Sequence, residues 1–287
     1  MISISRRQFL GRGAAGIAAA GSLASTALNL RAAPLGIPIG FQIYPVRESA
    51  GKDFPGTLRQ LAGMGFQSVE LCSFPGYSQS GFGPLAGMKP AEIRQTVKAA
   101  GLRCLSSHFT FRELKSSLDD SIAWAKGVGL KYVICSSFGL PRNAKLDDWR
   151  NAAVDLNKMG EKTRKAGLQM GFHNHNNEFV ELEGSLIYDE IMKVLDPKLV
   201  KMQLQLAIVG AGHDPIQYLQ KYSGRFCSLH LADWSSAEKK MVPVGKGVLN
   251  WNKIFAAAKK SGIKTYFIEM NLDLMRDSVP YLRALKA

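Results

Sequence analysis

Five times along the chain, a segment of helical length runs into a glycine, one apolar residue, one polar residue and then a β-rich run. The junctions are Gly65-Phe66-Gln67 before SVELC, Gly101-Leu102-Arg103 before CLSSH, Gly129-Leu130-Lys131 before YVICSS, Gly167-Leu168-Gln169 before MGFHNH, and Gly262-Ile263-Lys264 before TYFIEM. Glycine is the least strained residue for the left-handed turn that ends a helix. The apolar run that follows suits a strand covered on both faces. The first three intervals are 36, 28 and 38 residues, one strand–helix unit each, and the last is 95. That longer interval has room for two further strands, at about 201–207 and 225–231, and another strand at about 37–44 precedes the series.

Amphipathic segments lie between these runs. Leu58, Leu61 and Met64 recur at helical spacing, as do Ile93, Val97 and Ala100. Residues 147–165 read as a long helix with an acidic first turn and basic residues near its end. Asp214-Pro215 opens another helix, because proline is well tolerated at the first helical position. Eight alternating strand–helix units imply parallel strands, and eight in about 250 residues fit one closed (β/α)8 TIM barrel of the α/β class. No GxGxxG follows the first strand, which argues against a dinucleotide domain.

The N-terminus is set apart. Ser5-Arg6-Arg7-Gln8-Phe9-Leu10 is similar to a twin-arginine export signal, and a Gly/Ala-rich stretch to about residue 30 follows it. Residues 1–33 are therefore expected to be a leader, with the barrel at 34–287 and a periplasmic destination. The stretch is too broken by small residues and Arg12 to be a stable membrane anchor. The whole chain has 37 basic and 23 acidic residues, a net charge of +14. The Lys and Arg are scattered, with no nucleic-acid motif, so no nucleic-acid partner is expected. Four cysteines, none in a CxxC pair, exclude a disulfide scaffold and a zinc ribbon.

Active sites of such barrels lie at the C-terminal strand ends. There the sequence places Tyr44 and Arg47, Glu70, Ser106-Ser107-His108, the run from His173 to Glu178, Gln203 and Gln205, His230, Asp233-Trp234 and Glu269. Four of the five histidines fall at these ends, and the fifth, His213, precedes a helix. Glu269 sits among apolar neighbours, where a buried carboxylate needs a cation or donors. The spacing of His173 and His175 puts them on one strand face, and Gln203 and Gln205 likewise form a buried amide pair that needs partners. Arg47, Glu181 and Glu183 read as solvated loop residues, and Asp233 with Lys246 as a loop ion pair. Trp234 and Phe82 suit either sugar stacking or packing.

The segments GFQIYPVRE, GFQSVEL, SSHFTFREL, GFHNHNNEF, GHDPIQYLQKYSGRF, LHLADW, VPVGKGVLNW and YFIEM follow in order from about residue 38 to the end. In them the chain resembles the sugar phosphate isomerase/epimerase group of xylose-isomerase-like TIM barrels. The resemblance implies one divalent metal on His173, Gln205, His230 and Glu269, with His175 or Glu178 as alternatives to His173. The group usually has an acid at the position of Gln205. With an amide there the set carries one negative charge, which favours Mn, Co or Zn over Mg.

Such a centre abstracts a proton next to a carbonyl of a free sugar or keto-sugar, with His108, Glu70 and Glu178 as candidate bases. His175, Tyr44 and Trp234 are expected to touch the substrate. Isomerase and epimerase outcomes share an enediolate with the alternative of a lyase that eliminates the aglycone of 3-keto-glycosides. A non-catalytic sugar-binding barrel with a degraded metal site is the remaining alternative. The expected partners are a small carbohydrate substrate and either a homo-oligomer or an exported oxidoreductase.

Overall fold

The computed structural model describes residues 33–285, so residues 1–32 of the expected leader lie outside the described residues. Ala33 is buried against the barrel core. Eight parallel strands close into a barrel: β1 Gly40–Gln42, β2 Ser68–Cys72, β3 Arg103–Phe109, β4 Tyr132–Cys135, β5 Gln169–His173, β6 Val200–Gln205, β7 Phe226–Leu231 and β8 Thr265–Ile268. Each strand hydrogen-bonds to its sequence neighbours, and β8 closes on β1 with Gly40 opposite Phe267 and Phe41 opposite Ile268. Eight helices follow in turn: α1 Phe54–Met64, α2 Pro90–Ala99, α3 Leu118–Val128, α4 Leu146–Lys165, α5 Ile187–Val194, α6 Pro215–Lys221, α7 Trp251–Lys260 and α8 Leu272–Ala284. The closed eight-stranded parallel barrel is the expected fold. No helix among the described residues is long and apolar enough to cross a membrane.

The recurring junction explains how each helix hands over to a strand. All five junction glycines have positive φ, between 74° and 105°. In each case the apolar residue after the glycine is buried, and its N–H bonds back to a carbonyl in the last turn of the helix. The pairs are Phe66 to Leu61, Leu102 to Val97, Leu130 to Ala125, Leu168 to Thr163 and Ile263 to Ala258. That bond closes a left-handed cap. The polar residue then donates its N–H to the neighbouring stave, for example Gln67 to the Ile39 carbonyl and Lys264 to the Cys227 carbonyl. The motif ends a helix, anchors the turn in the core and starts the next ladder within three residues.

Side chains fill the lumen, and strand alternation sorts them. In register, Gln42 pairs with Glu70, Glu70 with Ser106, His173 with Gln203, and Gln205 with His230. These polar residues stack toward the C-terminal mouth.

Gly40 lies where the barrel closes. A Cβ there would stand 2.4 Å from the Phe267 ring, 2.7 Å from Ser68 Oγ and 2.7 Å from the Tyr266 carbonyl oxygen. The carbonyl belongs to the ladder and cannot turn aside. Gly40→Ala is therefore expected to destabilise the fold by about 2–3 kcal/mol through overpacking. Urea unfolding checks this, and an unchanged midpoint would show that the closing seam has slack.

Candidate active site

A buried carboxylate lies beneath the mouth of the barrel. Glu70, from β2, has no solvent exposure. Its Oε1 accepts from Ser106 Oγ at 2.5 Å and Gln203 Nε2 at 2.8 Å, and its Oε2 lies 2.5 Å from His230 Nε2 and 3.2 Å from His108 Nε2. Burial opposes the charge, but the two imidazoles and their hydrogen bonds outweigh it and hold the carboxyl below the usual carboxylate range. Gln203 Oε1 is 2.7 Å from His108 Nε2, so one amide ties Glu70 to His108.

Above this carboxylate, His230 presents its other nitrogen to Glu269. Its Nδ1 is 2.9 Å from Glu269 Oε2, and the same oxygen accepts from Gln205 Nε2 at 2.7 Å. Burial alone would lower the His230 pKa, but Glu269 and Glu70 on either side push it up to about 9. His173 completes the group, its Nε2 3.8 Å from Glu269 Oε2. It is fully buried, and neither of its ring nitrogens has a hydrogen-bond partner. Burial, with His230, His175 and His108 around it, depresses its pKa strongly, so the ring is neutral and one nitrogen is a bare acceptor.

The four residues that the resemblance nominated, His173, Gln205, His230 and Glu269, thus come together at the ends of β5 to β8. His108 joins them: it, His173 and His230 each offer a ligand nitrogen, and the three atoms lie within 4.8 Å of one another. A buried, unpartnered imidazole beside a carboxylate oxygen is a donor set that suits a divalent ion, so the residues present fit one.

Glu70 and His108 are buried beside this group, Glu70 bonded to His230 and His108 to Gln203. β5 ends at His173, so His175 leaves the strand face that the spacing predicted and is exposed, with its ring 4.8 Å from that of His173. The cause is Glu178, whose Oε2 accepts the His175 N–H at 2.7 Å and starts a 3-10 turn at Asn176–Phe179. Glu178 is 2% exposed, and burial raises its carboxyl to about 7. His175 and Glu178 line a cavity of about 420 Å³ together with Arg142 and Trp149.

Tyr44 is half-buried, with the guanidinium of the partly exposed Arg47 4.4 Å above its ring. Trp234 covers Gly210, where a Cβ would meet its ring at 3.0 Å, and Phe82 is a core residue stacked on Phe74. Asp233 is not half of an ion pair with Lys246. It accepts the backbone N–H groups of Trp234, Gly245, Gly247 and Leu249 and the Trp251 indole N–H, and so organises the loop after β7. Tertiary approach of that loop sets this cradle, which outcompetes a solvated lysine.

Two network members carry only faint sequence signals. Gln203 stands out as an amide in an apolar strand. Ser228, which accepts from Gln203 Nε2 at 3.2 Å, is marked only by its spacing of two from His230.

Known proteins share this fold. A sugar phosphate isomerase/epimerase from Parabacteroides distasonis is 27% identical with a TM-score of 0.72, covering 86% of this chain and 94% of that one. An inosose dehydratase from Lacticaseibacillus casei is 22% identical over 260 residues, 77% of this chain and 86% of that relative. The crystal structure of the IolI protein with a bound zinc atom shares the fold at 13% identity, with a TM-score of 0.63 and coverage of 86% of this chain and 95% of that one. The family model described as xylose isomerase-like TIM barrel matches residues 58–285, the stretch that builds seven of the eight staves and every ligand candidate. With its closed barrel and its polar cluster at the C-terminal ends of the strands, the chain belongs to the xylose isomerase-like TIM barrel family.

Proposed function

We propose that the protein is a divalent-metal-dependent enzyme that removes a proton next to the carbonyl of a sugar or keto-sugar and returns it as an isomerase or epimerase does. The observation that carries this reading is the meeting of His173, Gln205, His230 and Glu269 around the unpartnered His173 nitrogens. One ion held there would supply Lewis acidity to neighbouring sugar oxygens.

The chain's own residues do the rest. Glu70 accepts from His230 Nε2 and so fixes that ring with Nδ1 toward Glu269, the carboxylate–histidine arrangement that orients a ligand. Gln203 and Ser106 hold Glu70 in turn. Glu178, beside the cavity and titrating near neutrality, is matched to taking and returning a proton. The elimination reading draws support from the inosose dehydratase match, since loss of a group from the next carbon uses the same enediolate. Export through the twin-arginine route to the periplasm is part of the proposal and is supported by Arg6-Arg7 with the apolar stretch after them.

Three outcomes are expected. Purified protein holds about one divalent ion, and a keto-sugar exchanges its α-proton with D2O until a chelator strips the ion. Protein that takes up no divalent ion when supplied with one, and that catalyses no exchange on any member of a broad keto-sugar and keto-glycoside panel, would sink the reading.

Gln205→Asp adds a carboxylate beside Glu269 and moves metal preference toward Mg²⁺. A competition titration reads this, and an unchanged preference removes Gln205 from the ligand set.

Glu178 gives a pH signature. Its carboxyl rises from 4.5 to about 7, so between these values the native protein keeps a proton that the unfolded chain releases. Stability therefore falls by about 3 kcal/mol in total as pH rises across that window, and then levels. Glu178→Gln flattens that limb in unfolding curves measured from pH 4 to 8, and it removes the proton acceptor whose ionised form grows in above about pH 7. An unchanged limb would place the titrating group elsewhere.

A further inference from the structure

A second cavity, of about 610 Å³, opens away from the metal candidates, between the loop after β2, the short helix Phe111–Ser116 and α3. Its size lies within the range of about 300–1,000 Å³ typical of small-molecule sites. Two buried polar atoms in its wall have no partner: Glu113 Oε2 and the Trp124 indole Nε1. Trp124 is 9% exposed and is wedged edge-on against Phe74 and Phe109, so its N–H has a fixed direction. The other oxygen of Glu113 is held by Ser73 Oγ at 2.5 Å, and the carboxyl fits only because residue 76 is glycine, where a Cβ would lie 1.8 Å from Oε2.

The missing partners define the ligand. Glu113 Oε2 wants a donor, and Trp124 Nε1 wants an acceptor. A hydroxyl supplies both. An anion would face Glu113 and Asp120 with only Arg112 in its favour, and a metal ion would face the indole N–H and Arg112. Ser78, Gln79 and Ser80 add neutral polar groups from the opposite wall. We propose that this cavity binds a neutral carbohydrate ring at a subsite distinct from the metal centre, through Glu113 and Trp124.

The subsite adjoins the cavity at His175 and Glu178 through a third. A third cavity, of about 750 Å³, shares Thr110, Arg112 and Ser116 with it and shares Ser137, Gly139 and Leu140 with the cavity at His175 and Glu178. The occupant is therefore either a free sugar or the far ring of an oligosaccharide whose near ring lies in the cavity at His175 and Glu178.

The four tryptophans allow both sites to be watched at once. Full-length protein is labelled with 5-fluorotryptophan, and the 19F resonances are assigned by single Trp→Phe variants. Trp124 reports the new subsite, and Trp149 reports the cavity at His175. The probes are methyl glycosides of gluco, galacto and xylo configuration, and maltotriose.

A saturable shift of the Trp124 resonance is expected. A shift with methyl glycosides identifies a free-sugar subsite, and joint shifts of Trp124 and Trp149 in one maltotriose isotherm identify a far-ring subsite. Glu113→Gln should weaken the Trp124 response to the methyl glycosides about tenfold, the scale of one hydrogen bond to a charged group, and leave any Trp149 response to them intact. Trp124→Phe, titrated by calorimetry, should weaken binding similarly and covers the case in which Glu113→Gln does not fold. A Trp124 resonance unmoved by every sugar, or moved by Ca²⁺ or phosphate instead, overturns the proposal. α-Proton exchange and metal content, measured on the same protein, stand or fall separately.

Discussion

The charge of Glu70 must be satisfied where no water reaches, and the arrangement of the site follows from that. A lone carboxylate in this position would be too costly to keep ionised. It is kept because Ser106, Gln203, His108 and His230 all aim hydrogen-bonding groups at its two oxygens. Those partners come from β3, β6 and β7, so only a closed barrel in correct register supplies them. The carboxylate in turn fixes the His230 ring and, through it, the direction of the nitrogen that faces Glu269. Breaking such a network by removing one partner is far more damaging than its net contribution suggests, because the other groups stay buried.

The same logic separates the interior from the mouth. Fully buried His173 is neutral and keeps an unused nitrogen, while Glu178, in the wall of the 420 Å³ cavity, holds its proton to near neutrality because burial outweighs the backbone N–H that it caps. One set of groups is a donor set that suits a cation, and the other keeps a proton near neutrality beside a cavity. Burial governs both, acting on an imidazole in the first case and on a carboxyl in the second.

Much of this was legible in the residues. The glycine junctions announced the helix caps, and all five take the left-handed turn and the buried anchor that the pattern implies. The histidines at strand ends and the isolated Glu269 pointed to a polar mouth. What misled was local reading of loop residues. Asp233 and Lys246 read as an ion pair, but a cradle of four backbone N–H groups and an indole N–H claims the carboxylate. His175 read as a strand residue, but the strand ends at His173 and Glu178 caps the His175 N–H at the start of the turn Asn176–Phe179.

The sequence by itself determined the order of staves and helices and the chemistry available at each strand end. Both depend on short-range signals: where a helix caps, which face a residue takes, and which side chain it carries. Only the tertiary structure decided which of those polar groups meet, because closure brings β2 to face β7 across the lumen although they lie far apart in the chain. Partnership among buried polar groups depends on distances of a few tenths of an ångström, and it is register and barrel closure that set those distances.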